Sequence, residues 1–162
     1  MNTLGDSRSI GKALGLGVLV CGTLDITDAI VFYRLRSGVT ATRLLQGIAS
    51  VPFGPGAFRG GFQMASVGLL IHYAIATFWV CVFVLLARKI AWLFHYPVPA
   101  GLIYGLLVYT CMNFAVLPLF RPNSPIHFNL ALVNGVMAIV LFIGLAVALI
   151  NTRFAPVPIT RR

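Results

Sequence analysis

Four long apolar runs divide the sequence, and each is long enough to form a helix that crosses a bilayer. Crossing roughly 30 Å of hydrocarbon takes about 20 residues at 1.5 Å per residue. The runs cover about residues 10–33, 62–88, 99–120 and 128–150. No small-residue cleavage site follows the first run, so we predict that it is a retained helix and not a signal peptide.

The connections after the second and third runs are short. Residues 91–98 contain His95 and Pro97, and residues 121–127 read Arg-Pro-Asn-Ser-Pro-Ile-His, which is rich in turn-forming residues. Short connections favour antiparallel neighbours. We therefore predict that residues 1–162 form one membrane domain, a four-transmembrane-helix bundle of the all-α integral membrane class.

The first connection is longer and predicts a helix of its own. Over residues 40–51, Leu44, Leu45 and Ile48 share one side of a helix, and Arg43, Gln46 and Ser50 share the other. The segment is too short to span, so we predict a short interfacial helix between spans 1 and 2. The following residues 52–61, rich in Pro and Gly, predict an irregular loop.

Polar residues inside the apolar runs are the candidate functional groups. An ionised Asp near a bilayer centre costs about 2.5–3.5 kcal/mol on insertion scales. By depth, the four runs each place one polar residue in the half of the membrane near the first connection: Asp25, His72, Asn113 and Asn134. We predict a shared buried polar layer, with Asp28 and Tyr109 beside it. Within it, Asp25 and His72 should come within hydrogen-bond reach, directly or through one water.

Small residues at helical spacing indicate which faces pack inward, because they let membrane helices approach closely. Each run carries such a stripe together with its polar residue: Gly11, Gly15, Gly22 and Ala29; Gly61, Ala65, Gly68 and Ala76; Gly101 and Gly105; Ala131 and Ala138. Pro118 predicts a kink near the end of the third span.

Composition and charge support a membrane protein. The chain has 162 residues, of which 59% are hydrophobic and 9% charged, against about 25% charged in soluble domains. The net charge of +9 does not indicate nucleic-acid binding, because the basic residues lie at the ends of the apolar runs, where they contact lipid headgroups. The side that holds both termini has more of them than the other, which favours cytoplasmic termini.

The sequence offers no cofactor or metal site and no catalytic motif. The three cysteines match no metal spacing, and His72, His95 and His127 fall at three different depths. There is no nucleophile elbow or HExxH motif. An enzymatic function stays open, but no residue pattern favours it.

Several functions remain for the polar layer. Asn and His side chains can join helices by hydrogen bonds, although such a structural role explains two aspartates poorly. The Asp25–His72 pair could instead carry protons or ions. The alternatives are an accessory or scaffold subunit of a larger membrane complex, a self-associating protein, or lipid or small-anion binding at the Gly-rich loop through Arg59, Gly60 and Gly61.

Five segments resemble a known group of proteins: GTLDITDA (22–29), LLQGIAS (44–50), GLLIHYAIA (68–76), AGLIYGLLVY (100–109) and MNFAVLP (112–118). They resemble small bacterial inner-membrane proteins of the YagU-like type. The resemblance implies a polytopic protein of the bacterial inner membrane with uncharacterised activity. It implies no role for any individual residue.

Overall fold

The protein contains four long apolar helices, seen in a computed structural model that describes residues 3–120 and 129–155, with side chains from residue 9 onward. The four long helices are Ser9–Ser37, Gly61–Lys89, Pro97–Phe120 and Leu130–Phe154. Each is long and apolar enough to cross a membrane. The described ranges contain no strand, so the prediction of an all-helical chain with four span-length helices is confirmed.

The long helices comprise the following elements. The first lies in α1 (Thr3–Ser37), and the second is α3 (Gly61–Lys89). Between them lie α2 (Ala41–Phe53) and a 3₁₀ turn (Pro55–Arg59), and after them the short α4 (Ala91–His95). The third joins α5 (Pro97–Thr110), a π-helical segment (Cys111–Val116) and α6 (Leu117–Phe120). The fourth joins α7 (Leu130–Ala138), a second π-helical segment (Ile139–Leu145) and α8 (Ala146–Phe154).

Local capping explains where several helices begin and end. The first long helix continues past the predicted end at residue 33, and it stops where Gly38 adopts φ 67° and donates from its N–H to Arg34 O at 3.0 Å. Thr40 then caps α2 by accepting from Arg43 N at 3.2 Å. Asn129 caps α7 through two backbone N–H groups. The predicted turn at residues 121–127 and the predicted start of the fourth span at residue 128 lie outside the described residues.

The first and second long helices pack closely through glycines. A Cβ on Gly22 would lie 2.7 Å from Tyr73 Cε1, and one on Gly17 would lie 2.8 Å from Val80 Cγ1. Gly11 and Gly15 face open space instead, so the prediction that they belong to this packed stripe is wrong. Near the start of α1 the buried face runs through positions 13, 17 and 21. At 100° per residue, this face is rotated by about 120° around the helix axis from the predicted stripe.

The third and fourth long helices approach each other still more closely. A Cβ on Gly105 would lie 2.5 Å from Val140 Cα, and one on Gly101 would lie 2.7 Å from Leu145 Cα. Gly144 faces these two glycines from the fourth helix. The predicted Gly101–Gly105 stripe is therefore in a helix interface, where backbone meets backbone.

Aromatic side chains join the second and third long helices on the side away from the first connection. The Tyr104 ring packs edge-on against Trp79 and Phe83, with centroid separations of 6.3 and 5.0 Å. Its hydroxyl donates to Trp79 O at 2.6 Å. Residues from all four long helices complete this core around them: Cys21, Val80, Val84, Val108, Ile143 and Val147.

Helix α2 packs against the N-terminal half of α3. Gly68 meets the backbone of α2 at the Leu45 carbonyl and the Ala49 nitrogen, and Gln46 Nε2 donates to Gly61 O at 2.9 Å. The sequence pattern placed Gln46 and Ser50 on the polar side of this helix, yet both are buried. This side packs inward because Ala49 and Ser50 are small and Gln46 hydrogen-bonds to Gly61 O, which allows a close approach to Gly68.

The side chain of Asn151 leads to a stability prediction. It is 2% exposed, and no described residue donates a hydrogen bond to its Oδ1. An unsatisfied buried acceptor costs about 1–3 kcal/mol. We expect Asn151→Leu to raise the midpoint of thermal unfolding in detergent by roughly 2–4 °C, which corresponds to about 1 kcal/mol for a chain of this size. A lower midpoint would mean that Asn151 makes a stabilising polar contact.

Candidate functional site

A cavity of about 550 Å³ lies between the second and third long helices, on the side of the first connection. Helix α2 forms one wall of it, and α1 and the fourth long helix also contribute. Most of its surface is apolar: Ile48, Val51, Pro52, Ile71, Ile75, Ala76, Trp79, Val108, Met112, Val116, Leu117, Phe120, Ile139 and Ile143. Three polar side chains complete the lining that the described residues provide, namely Asp25, His72 and Asn113.

Asp25 and His72 face each other across the first and second long helices. The His72 Nδ1 and Asp25 Oδ2 atoms are 3.9 Å apart, and their side chains are only 11% and 23% exposed. This separation is too long for a direct hydrogen bond and short enough for an ion pair. The two groups therefore lie together as predicted, but without the direct hydrogen bond.

A backbone carbonyl fixes the orientation of the His72 ring. His72 Nε2 lies 2.8 Å from Gly22 O. A carbonyl oxygen can only accept, so Nε2 carries the proton and Nδ1 is the atom that faces the carboxylate. A neutral imidazole would then present a lone pair to Asp25. The pair therefore needs a proton on one of the two groups, or a cationic donor near both, to avoid two acceptors facing each other.

Asn113 contributes an acceptor from the third long helix. Its Nδ2 donates to Tyr109 O, one turn earlier, at 3.0 Å. One of the two amide N–H groups is used within its own helix, so the carbonyl oxygen and the second N–H remain for a bound molecule. Asn113 lies near the middle of the third-helix wall, which runs from Val108 to Phe120.

Asp28 and Asn134 form a separate polar pair. Asn134 Nδ2 donates to Asp28 Oδ2 at 2.7 Å, and neither residue lines the cavity. Tyr109 lies beside this pair, against Gly135. The prediction of one continuous layer needs correction, because the polar residues form two groups. Asp28 follows Asp25 by three positions, which turns it about 60° around the helix axis toward the fourth long helix.

Both π-helical segments contribute to the cavity wall. Met112, Asn113 and Val116 come from the first, and Ile139 and Ile143 from the second. In the first segment, Leu117 N donates to Met112 O, five residues back. Pro118 follows directly, and its ring would clash with the carbonyl four residues earlier in a regular α-helix. The wider turn relieves this clash where the sequence predicted a kink. Such segments are rare and are often found at functional sites.

The residues predicted to bind an anion, Arg59, Gly60 and Gly61, lie in the Gly-rich loop outside the cavity. Helix α3 begins at Gly61 without a side-chain cap, and the Gly61 carbonyl accepts from Gln46. Arg59 is exposed, and neither it nor Gly60 lines the cavity. The nearby guanidinium of Arg43 stacks on the Phe58 ring at 4.1 Å. The loop therefore combines an exposed guanidinium with a helix start that has no side-chain cap, and anion binding there stays a prediction.

The sequence alone missed Gly22 as part of the site. Its carbonyl accepts from His72, and its missing side chain leaves room for Tyr73, whose hydroxyl lies 2.8 Å from Thr23 Oγ1. The available signal was the position of Gly22 one turn before Asp25, where a glycine on the packed face exposes backbone to a neighbouring helix.

Comparison with known proteins gives no relative for this chain: no protein-family model, curated protein or solved structure matches it. The resemblance to YagU-like proteins therefore stays a sequence-based prediction. In the part of the chain that the structure describes, no three His, Cys, Asp or Glu side chains are grouped so that they could hold a metal ion. A functional conclusion must accordingly be drawn from the geometry of the cavity.

Proposed function

We propose that this chain is a multi-pass protein of the bacterial inner membrane that binds a small, mostly apolar molecule between its second and third long helices. The cavity is the observation that carries the proposal. Pockets of about 300–1,000 Å³ with apolar walls and a few polar groups are typical of small-molecule sites. This cavity has about that size and composition, with Asp25, His72 and Asn113 as its polar groups.

Binding explains the arrangement better than ion conduction. A path across the bilayer needs polar groups or water through both halves of the bundle. Beyond the cavity, the described core is packed with Val80, Phe83, Val84 and Tyr104, all 5% exposed or less. The polar lining of the cavity therefore ends at a tightly packed, mostly apolar core. This is expected for a binding pocket that opens on one side of the bundle and not for a path across it.

The proposed topology follows from charge and amphipathicity. With both termini in the cytoplasm, the cytoplasmic side would hold the larger share of basic residues. Helix α2 would lie at the opposite interface, with Arg43 exposed toward the headgroups. The cavity would then lie in the outer half of the bilayer, where an apolar molecule partitions from lipid.

Tryptophan fluorescence tests the binding proposal. The chain has two tryptophans: Trp79 lines the cavity, and Trp92 is 43% exposed in α4. In the variant Trp92→Phe, reconstituted in nanodiscs of zwitterionic lipid, the emission comes from Trp79 alone. A brominated long-chain alcohol, which quenches on contact, is expected to quench this emission saturably. An unbrominated alcohol of the same length should reverse the quenching.

A matched pair of substitutions locates the probe. Val116→Phe, made in the same single-tryptophan background, narrows the cavity and is expected to weaken the saturable quenching by about tenfold, the equivalent of about 1.4 kcal/mol. Val133→Phe adds the same ring at a position that is 56% exposed on the fourth long helix, and it should leave quenching unchanged. Quenching that rises linearly with probe in all three proteins would reflect partition into lipid and would refute the proposal.

A further inference from the structure

We infer that the molecule bound in the cavity carries an amine, which is held as an ammonium group by Asp25. This inference rests on the proposed function, because it specifies the head group of the proposed apolar ligand. Its basis is that the Asp25 carboxylate has little positive charge nearby and lies with further hydrogen-bond acceptors in a pocket that is otherwise apolar.

The charge of Asp25 has little compensation in the described part of the chain. Its only ion-pair partner there is His72, at 3.9 Å. The basic side chains of the first long helix lie toward its ends, and Arg34 is roughly 13 Å further along the axis. Charges interact strongly where water is excluded. A ligand that brings a positive charge into the cavity would therefore gain more from Asp25 than a neutral one of the same shape.

The hydrogen-bonding groups of the cavity match a donor. Asp25 presents carboxylate oxygens, and Asn113 presents its amide oxygen beside the one N–H that its bond to Tyr109 O leaves over. A neutral His72 presents Nδ1, because Nε2 is bonded to Gly22 O. All three are acceptors. An ammonium group supplies several N–H donors and one positive charge, so it satisfies these acceptors better than a hydroxyl or a carbonyl.

The remaining walls set the character of the rest of the molecule. Ile75, Trp79 and Val108 line one part of the cavity, and Val116 and Phe120 line another. Among the described residues, no other charged side chain contributes to the lining. The body of the ligand is accordingly a hydrocarbon or aromatic group, and the ligand class is a lipophilic amine.

Two probes of equal chain length test the inference in the Trp92→Phe background. One is a brominated long-chain primary amine, which is cationic at pH 7 because alkylamines titrate near pH 10. The other is the corresponding alcohol. Both are titrated in zwitterionic nanodiscs and corrected for the amount partitioned into lipid. We expect the amine to bind about tenfold more tightly or better, and Asp25→Asn to remove this preference while alcohol binding remains.

Asp28→Asn is the matched control. Asp28 is the same residue type on the same helix, but it is hydrogen-bonded to Asn134 and does not line the cavity. This variant should keep the preference for the amine. Loss of the preference in Asp28→Asn as well as in Asp25→Asn would show a general effect of charge and overturn the assignment to Asp25.

The remaining outcomes are distinct. If amine and alcohol saturate with equal affinity, or if Asp25→Asn keeps the preference, the inference fails and the apolar binding site stands. If neither probe saturates, the proposed function fails with it. Should Asp25→Asn not elute as a folded species in gel filtration, Asn113→Leu replaces it, since it removes one of the three acceptors and its hydrogen bond to Tyr109 O lies within its own helix. The preference for the amine should then fall, and an unchanged preference would overturn the inference.

Discussion

Replacing Gly68 with leucine is expected to detach α2 from α3 and to open the cavity. Gly68 faces the backbone of α2 at Leu45 and Ala49, and backbone atoms cannot move aside as a flexible side chain can. Overpacking usually costs about 1–3 kcal/mol and sometimes more. With two backbone groups in the way, we expect about 3 kcal/mol or more, seen as a lower midpoint of thermal unfolding in detergent. Saturable quenching of Trp79 should also disappear.

Gly47 provides the control for this variant. Gly47 lies in α2, between the residues Leu45 and Ala49 that Gly68 faces. A Cβ on Gly47 would meet no described atom within 4 Å. Gly47→Leu should therefore be neutral or stabilising, because leucine has the better helix propensity by somewhat less than about 1 kcal/mol. Equal loss of stability in both variants would mean that α2 does not pack on Gly68.

Replacing Gly105 with leucine is expected to separate the third and fourth long helices. Its Cβ would lie 2.5 Å from Val140 Cα and 3.1 Å from Ile139 O, so the two helix backbones must move apart. The second π-helical segment begins at Ile139 and lines the cavity, so the site should be lost together with the fold. We expect a destabilisation of about 3 kcal/mol or more, measured by thermal unfolding and by loss of the folded peak in gel filtration.

The comparison for Gly105 is Gly15, another glycine inside a long helix. Gly15 has open space around it, so Gly15→Leu should fold and elute as the parent protein does. If Gly105→Leu behaved in the same way as Gly15→Leu, the close contact between the third and fourth long helices would be wrong.

The sequence predicted the four long helices well because each depends on a local feature, its own apolar run. An uninterrupted apolar run of more than about 20 residues has few alternatives to a long helix. Depth along each helix is also simple to count, which is why Asp25 and His72 were expected to meet. The ends of the helices shifted where capping chemistry decided them, as at Gly38.

Rotation about the helix axis was the weaker part of the prediction. The choice between Gly15 and Gly17 as the packed position of α1, and the division of the polar residues into an Asp25 group and an Asp28 group, depend on which neighbour each face meets. The packing of all four long helices against one another decides which faces meet. The same holds for α2, whose polar residue Gln46 is buried because it donates to Gly61 O and because Gly68 lets the α2 backbone come close to α3.

The cavity itself left no pattern in the sequence. It exists because Tyr104 joins the second and third long helices at one level while α2 covers them at another. These contacts join positions far apart in the chain, and their combined geometry decides whether a gap remains. The π-helical segments are equally hidden, although Pro118 gives a local reason for one of them.

Crystals grown with a brominated long-chain amine would test the account most directly, because anomalous scattering locates bromine without assumptions about the rest of the map. We expect a bromine peak inside the cavity among Ile75, Trp79 and Val108 or among Val116 and Phe120, with the amine nitrogen within hydrogen-bond distance of Asp25. An ordered bromine only on the outer, lipid-facing surface, with the cavity closed by side chains, would contradict the account.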